Sequence, residues 1–448
     1  MIKKNEEYIV NIIDNGSNGE GICKIDEFTI FVSGAIKEEK CKIKILKVNK
    51  SFAYAKVLDI IEKSNYRVEP DCISYKKCGG CNLRHINYEY TLKMKREKIQ
   101  NLVNKTLSNR IVVDSTIGMD KPYFYRNKAI YPVAEIGEKR IVGIYANRSH
   151  SVIEFDKCMI QSEESQEIAK YILDKWNNSI YNEETHKGFL RNIMIRVGTI
   201  SKEIMVVLVT NGMIDYDYSN LIKKFPNIKT IIINDNHEVT NVVLSNNNKV
   251  IYGDGVIYDY LNEYKFQISP NSFFQVNSTQ TIKMYNEAIK MADLKPTDVI
   301  YDLYCGIGTI SIFASKYVKR VYGIEIVHSS IENARLNARL NNILNVDFIE
   351  GDVETAFENA VKGDRRADVV IVDPPRKGLD IKTIETLLDI SPRKIVYVSC
   401  NPATLIRDLK EFEDDYDIKK IQPIDNFPYT NHCESISVLE RKKNDLYS

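Results

Sequence analysis

The stretch Val299-Ile300-Tyr301-Asp302-Leu303-Tyr304-Cys305-Gly306-Ile307-Gly308-Thr309 is a short apolar, β-branched run that breaks at two glycines and opens into a helix. Glycine lets a backbone approach a ligand closely, and the first turn of a helix offers free N–H groups. A dinucleotide-binding fingerprint would place a third glycine at position 311, where this chain has Ser311. A loop that need not hold a pyrophosphate favours S-adenosylmethionine over NAD, with Tyr304 and Gly306 at the turn.

Working outward, strand-like runs recur at 299–303, 320–324, 346–349, 369–372 and 395–398, with helical patterns at 329–340 and 381–390. Such alternation predicts a parallel sheet with helices on both faces, filling residues 266–448. Ligands of these sheets bind outside the carboxyl ends of the strands. Glu325 ends the second strand, where a carboxylate can accept both ribose hydroxyls. Asp352 follows the third and can reach the adenine edge.

The last of these runs leads into Val398-Ser399-Cys400-Asn401-Pro402. A lone cysteine at a strand end is more often a small buried residue than a reagent. The following Asn-Pro, the loop Asp373-Pro374-Pro375-Arg376 and the downstream Asn431-His432-Cys433-Glu434 reverse that balance. A thiolate can act as nucleophile and a nearby carboxylate as proton acceptor. With a methyl-donor loop on the same chain, Cys400 and Glu434 suggest methylation of a pyrimidine carbon.

The N-terminal 1–60 alternates Ile-, Val- and Tyr-rich runs (7–13, 29–32, 41–48, 53–60) with the glycine-rich loop 15–21, the pattern of a small β-barrel. Small barrels often bind RNA or single strands, though a purely structural barrel reads the same way. Residues 61–265 mix strands with a helix at 164–177, an α+β arrangement. Three units are expected from a 448-residue chain with 44% hydrophobic and 27% charged residues. No apolar run reaches the roughly 20 residues of a membrane helix, and the first residues lack a signal-peptide core. A cytoplasmic protein without a membrane partner is expected.

The formal net charge is +1, yet twelve Lys and Arg stand against four Asp and Glu between Cys72 and Lys128. Lys93, Lys95 and Arg96 form the densest part. A charge run is commonly a solvated helix face; clustered basic groups also suit phosphate contact. Nine cysteines, an odd number, argue against a disulfide framework. Cys72, Cys78 and Cys81, with Cys158 far downstream, offer four thiolates suited to Zn²⁺ or an iron–sulfur cluster, and the spacing leaves the two open.

Together these motifs resemble the RNA uracil-5 methyltransferases, in particular the branch acting on large-subunit ribosomal RNA, over the whole chain. The resemblance implies a TRAM barrel at 1–60, a central domain at 61–265 and a class I methyltransferase domain at 266–448. It implies a [4Fe–4S] cluster on Cys72, Cys78, Cys81 and Cys158, Cys400 as nucleophile and Glu434 as base. Methyl-donor contacts would fall on Gln275 in Phe273-Phe274-Gln275-Val276-Asn277, Tyr304, Glu325 and Asp373. Asp373 could also touch the uracil edge, Phe273 wall the pocket and Arg126 contact RNA. Transfer-RNA members lack the barrel and cluster, so the implied partner is 23S ribosomal RNA with its target uridine flipped out, met by a monomer. A cytosine-5 enzyme using Cys433 for release and an inactive RNA-binding protein are the rival readings.

Overall fold

The computed structural model describes residues 2–147, 149–362 and 366–443. Among the described residues the strands fall into four sheets. The first holds six strands between Glu7 and Glu62. Its inward side chains, among them Val10, Cys23, Ile30, Val32, Cys41, Ile43 and Ala55, pack on one another. A single sheet can bury its own inner face only by curling, which gives the expected barrel-like unit. Cys23 and Cys41 are part of that core.

A seven-stranded sheet follows, in the order Asn248–Tyr252, Ile228–Asp235, Ile204–Thr210, Leu190–Val197, Lys128–Ile136, Lys139–Tyr145, Val152–Glu154. Ile193, Ile195, Val206 and Leu208 pack under the helix Glu163–Lys175. Met194, Met205, Val207 and Val209 face the C-terminal core. Burial on both faces accounts for the apolar run 204–209 within the strand Ile204–Thr210.

The C-terminal sheet runs Val346–Glu350, Arg320–Glu325, Val299–Leu303, Val369–Val372, Lys394–Ser399, all parallel. Two further strands, Glu434–Arg441 and Tyr416–Ile424, complete it, and Glu434–Arg441 lies antiparallel to Lys394–Ser399. An antiparallel strand starts where its neighbours end, so the first residue of Glu434–Arg441 joins the loops at the carboxyl edge. The sequence alternation had not indicated these two strands.

The basic helix spans Tyr88–Thr106. Assigned by sequence to the central unit, it instead packs through Ile99, Val103 and Leu107 into the C-terminal core with Leu405, Leu409 and Phe412. Its apolar stripe has the i, i+4, i+8 spacing of one helix face, and the sheet that covers the stripe is set by tertiary contacts. No described helix is long and apolar enough to cross a membrane.

Candidate active site and cysteine cavity

Parallel strands deliver the expected residues to one edge. Tyr304 follows Val299–Leu303, Glu325 ends Arg320–Glu325, Asp352 follows Val346–Glu350, Asp373 follows Val369–Val372, and Cys400 follows Lys394–Ser399. In the glycine loop, Tyr304, Gly306 and Gly308 all have positive φ, at 65°, 54° and 80°. A tyrosine in this region carries strain, a recurrent mark of ligand loops. The N–H of Gly306 donates to Glu325 Oε2 at 3.2 Å, tying the loop to the second strand. A side chain at Gly308 would meet the Phe348 ring at 2.7 Å, while one at Gly306 would meet open space. The Tyr304 hydroxyl bonds Thr383, and Asp352 lines an exposed depression with Ile349 and Ala356.

Beneath the loop lies a residue that sequence reading passed over. Asp302 is fully buried, accepts from Ser311 Oγ at 2.6 Å, and its other oxygen has no partner. Burial raises its carboxyl to about 7. Ser311, at the position where a dinucleotide site would have glycine, thus braces the loop from below.

Cys400 and Glu434 meet through strand register. Ser399 lies opposite Ser435 in the antiparallel pair, so the next pair of positions outward is Cys400 and Glu434. Glu434 is 3% exposed, and burial, then Asp373, pushes its carboxyl up to about 8, with Arg376 opposing. Burial, Glu434 and Asp373 raise the half-buried Cys400 thiol to about 11, again against Arg376. Burial and Asp302 hold Asp373 at about 7. Three acids and one cation therefore share a small space, so the protonation state of each depends on the others. Arg376 was visible in the Asp-Pro-Pro-Arg loop but had been given no role. Cys433 is buried, its Sγ directed at the carbonyls of Ile424 and Glu434, as a structural thiol would be.

The loop before Glu434 is held from outside the sheet. The N–H groups of Asn82 and Leu83 both donate to the Tyr429 carbonyl, at 3.2 and 3.0 Å. The N–H of Asn431 donates to Asn82 Oδ1 at 2.9 Å, and the Asn82 amide donates to the Asn18 carbonyl in the barrel at 2.9 Å. Asn82 directly follows Cys81, the one clue to it in sequence.

Of the residues read as RNA contacts, Lys93 is exposed. Lys95 is not: it is 2% exposed and its Nζ lies 2.5 Å from Asp425 Oδ1. Arg96 is half-buried and donates from Nε to the Val113 carbonyl at 2.8 Å. Lys95 is structural, because its charge is taken up by a carboxylate remote in sequence, while Arg96 spends one N–H on the backbone and keeps its charge partly exposed. Arg126 is half-buried, its Nε enclosed without a hydrogen-bond partner. Phe273 is 71% exposed, while its neighbour Phe274 is packed into the core. Gln275 offers its carbonyl to the Asn127 amide at 2.9 Å.

Cys72, Cys78, Cys81 and Cys158 line one cavity of about 330 Å³, together with Tyr75 and Arg84. None of the nine cysteines forms a disulfide. Among the described residues no three His, Cys, Asp or Glu stand close enough to hold a single ion. Arg84 is 2% exposed and ion-paired through Nε with Asp71 Oδ1 at 3.0 Å, while its Nη1 and Nη2 have no hydrogen-bond partner. Four thiols around a cavity, beside a cation with unused donors, is a donor set suited to an anionic sulfur-rich group.

This fold and edge are those of a methyltransferase that uses S-adenosylmethionine, and family membership makes RNA its substrate. The chain belongs to the tRNA (uracil-5-)-methyltransferase family, whose pattern matches residues 87–442, and a TRAM domain matches residues 3–58. It is 45% identical to an "uncharacterized RNA methyltransferase" of Clostridium acetobutylicum, over 98% of both chains. It is 41% identical to one of Oceanobacillus iheyensis, again over 98% of both. Among solved structures, the tRNA (uracil-54, C5)-methyltransferase of Pyrococcus abyssi in complex with S-adenosyl-L-homocysteine superposes with a TM-score of 0.79. It is 27% identical and covers 96% of this chain and 100% of its own.

Proposed function

We propose that the protein transfers the methyl group of S-adenosylmethionine to C5 of a uridine in 23S ribosomal RNA. The observation that carries the chemistry is the strand register that sets Cys400 beside Glu434 at the sheet edge. Uracil C5 is a weak nucleophile towards a sulfonium. Addition of the Cys400 thiolate to C6 breaks the C5=C6 double bond and makes an enolate with electron density at C5. C5 then takes the methyl group, and the sulfonium leaves as the neutral thioether. Glu434 accepts the C5 proton, the double bond re-forms and the thiolate departs. Tyr304, Gly306, Glu325 and Asp352 would hold the methyl donor, with Gln275 and Asp373 between donor and base. Phe273 would flank the flipped uridine.

Cys72, Cys78, Cys81 and Cys158 would hold a [4Fe–4S] cluster, a group whose thiolates stand further apart than the ligands of one zinc ion. Bound there, it would supply a rigid cross-link between the Cys72–Cys81 loop and Cys158. Three units at 1–60, 61–265 and 266–448 remain the proposed division, with the helix Tyr88–Thr106 assigned by its packing to the third.

Transfer RNA is the second reading. The barrel does not separate the two, because the P. abyssi tRNA enzyme aligns with 96% of this chain and so must extend into it. The ribosomal reading rests on the motif resemblance. Nucleoside mass spectrometry of both RNAs, from cells with and without the gene, tests it. Loss of 5-methyluridine from large-subunit RNA is expected; loss confined to transfer RNA would move the substrate, and no loss would remove the chemistry.

A further inference from the structure

A cleft of about 520 Å³ runs between the barrel and the catalytic loops, lined by Ile22 and Phe31, by Lys98 and Lys105, and by Asn401 and Asn431. Asn401 adjoins Cys400. On the barrel, Ile30, Val32, Ala53 and Ala55 are buried, so their strand neighbours Phe31, Phe52 and Tyr54 face outward. The three rings form a cluster, with centroids 5.7, 5.9 and 5.4 Å apart. Register extends the row: Ile22 lies opposite Phe31, Phe31 opposite Tyr54, and Tyr54 opposite Lys47. Lys47 and Lys56, on the same strands, are exposed.

We propose that Phe31, Phe52 and Tyr54 are a stacking platform for unpaired nucleotides of the RNA substrate next to the flipped uridine. Aromatic side chains on an outer sheet face cannot be core, and every base has a π-face for them to stack on. The flanking lysines match a phosphate backbone. Continuity with the cleft directs the strand from the rings, past Lys105 and Lys98, to the loop that carries Cys400. The location of the bases relative to the target rests on Cys400 and Glu434 being the reacting groups; the platform itself does not.

The test uses the full chain and an oligouridine of about ten nucleotides carrying one 2-aminopurine, a length within the footprint of small barrels. Binding to wild type is expected to quench the fluorophore by stacking. Phe31→Leu and Tyr54→Ser should each weaken binding about fivefold or more and abolish the quenching, since stacking is worth roughly that per base. Tyr54 is exposed, so Tyr54→Ser should unfold at the wild-type temperature, and Phe31→Leu is read only if it does too. Binding by both variants within twofold of wild type, with quenching intact, would overturn the platform and leave the face to a protein partner. No methyl transfer is needed here, so failure of the Cys400 chemistry would leave this result unchanged.

Discussion

Lys95 Nζ lies 2.5 Å from Asp425 Oδ1, with both side chains almost fully enclosed, and Tyr88 donates to the other carboxylate oxygen at 2.9 Å. The pair joins the basic helix to the segment leading to Glu434. Removing one partner from such a pair typically costs about 3–5 kcal/mol, because the other charge stays buried and uncompensated. Lys95→Met is therefore expected to lower the unfolding free energy measured in urea by that amount. Adding Asp425→Leu should recover part of the loss.

Removing the proposed base after the nucleophile has acted should trap the intermediate. Glu434→Gln is expected to accumulate a protein–RNA adduct that survives denaturing electrophoresis. Cys400→Ala should give neither adduct nor turnover while still binding S-adenosylmethionine in calorimetry. A Cys400→Ala protein with near wild-type turnover would refute the nucleophile.

The acids of the site set opposite pH trends for rate and stability. Asp302, Asp373 and Glu434 hold protons in the folded chain up to about 7, 7 and 8, above their unfolded values. The folded state binds more protons in that window, so stability is greatest below about pH 4 for these groups and falls as pH rises through 8. Melting temperature should drop between pH 5 and 8.5, and drop less in Glu434→Gln. Adduct formation should instead climb about tenfold per pH unit between 7 and 9, following the thiolate fraction of a cysteine raised by its neighbours.

Two glycines of one loop should respond differently. Gly308→Ala forces a methyl against Phe348 at a φ of 80°, and is expected to destabilise the fold by about 1–3 kcal/mol. Gly306→Ala meets no protein atom. It should cost only about 1 kcal/mol of stability, yet weaken S-adenosylmethionine binding at least about tenfold if the backbone approaches the ligand there. Calorimetry with thermal unfolding separates the two effects.

The cysteine cavity makes a compositional prediction. Anaerobically purified protein should carry about four irons per chain. Cys81→Ser and Cys158→Ser, made separately, should each lose most of that iron. One bound zinc in place of iron would reassign the cavity.

The methyltransferase sheet was legible because its signals are local. Strand 299–303, the glycines at 306 and 308, and the helix at 381–390 fall where the alternation put them. The barrel strands were legible for the same reason. Lys95 was misread because a lysine on a basic helix looks solvated until a carboxylate 330 positions away is known to reach it. Glu434 was found by motif, but its nearness to Cys400 comes from an antiparallel register that no local pattern announces. The support by Asn82 was hidden for the same reason.

Asn18, Asn82 and Asn431 are linked in one hydrogen-bonded chain, from the barrel through the cysteine loop to the segment before Glu434. Translation delivers the first two of these residues long before the third. The catalytic edge is therefore held in place only once residues 413 positions apart in the chain have come together.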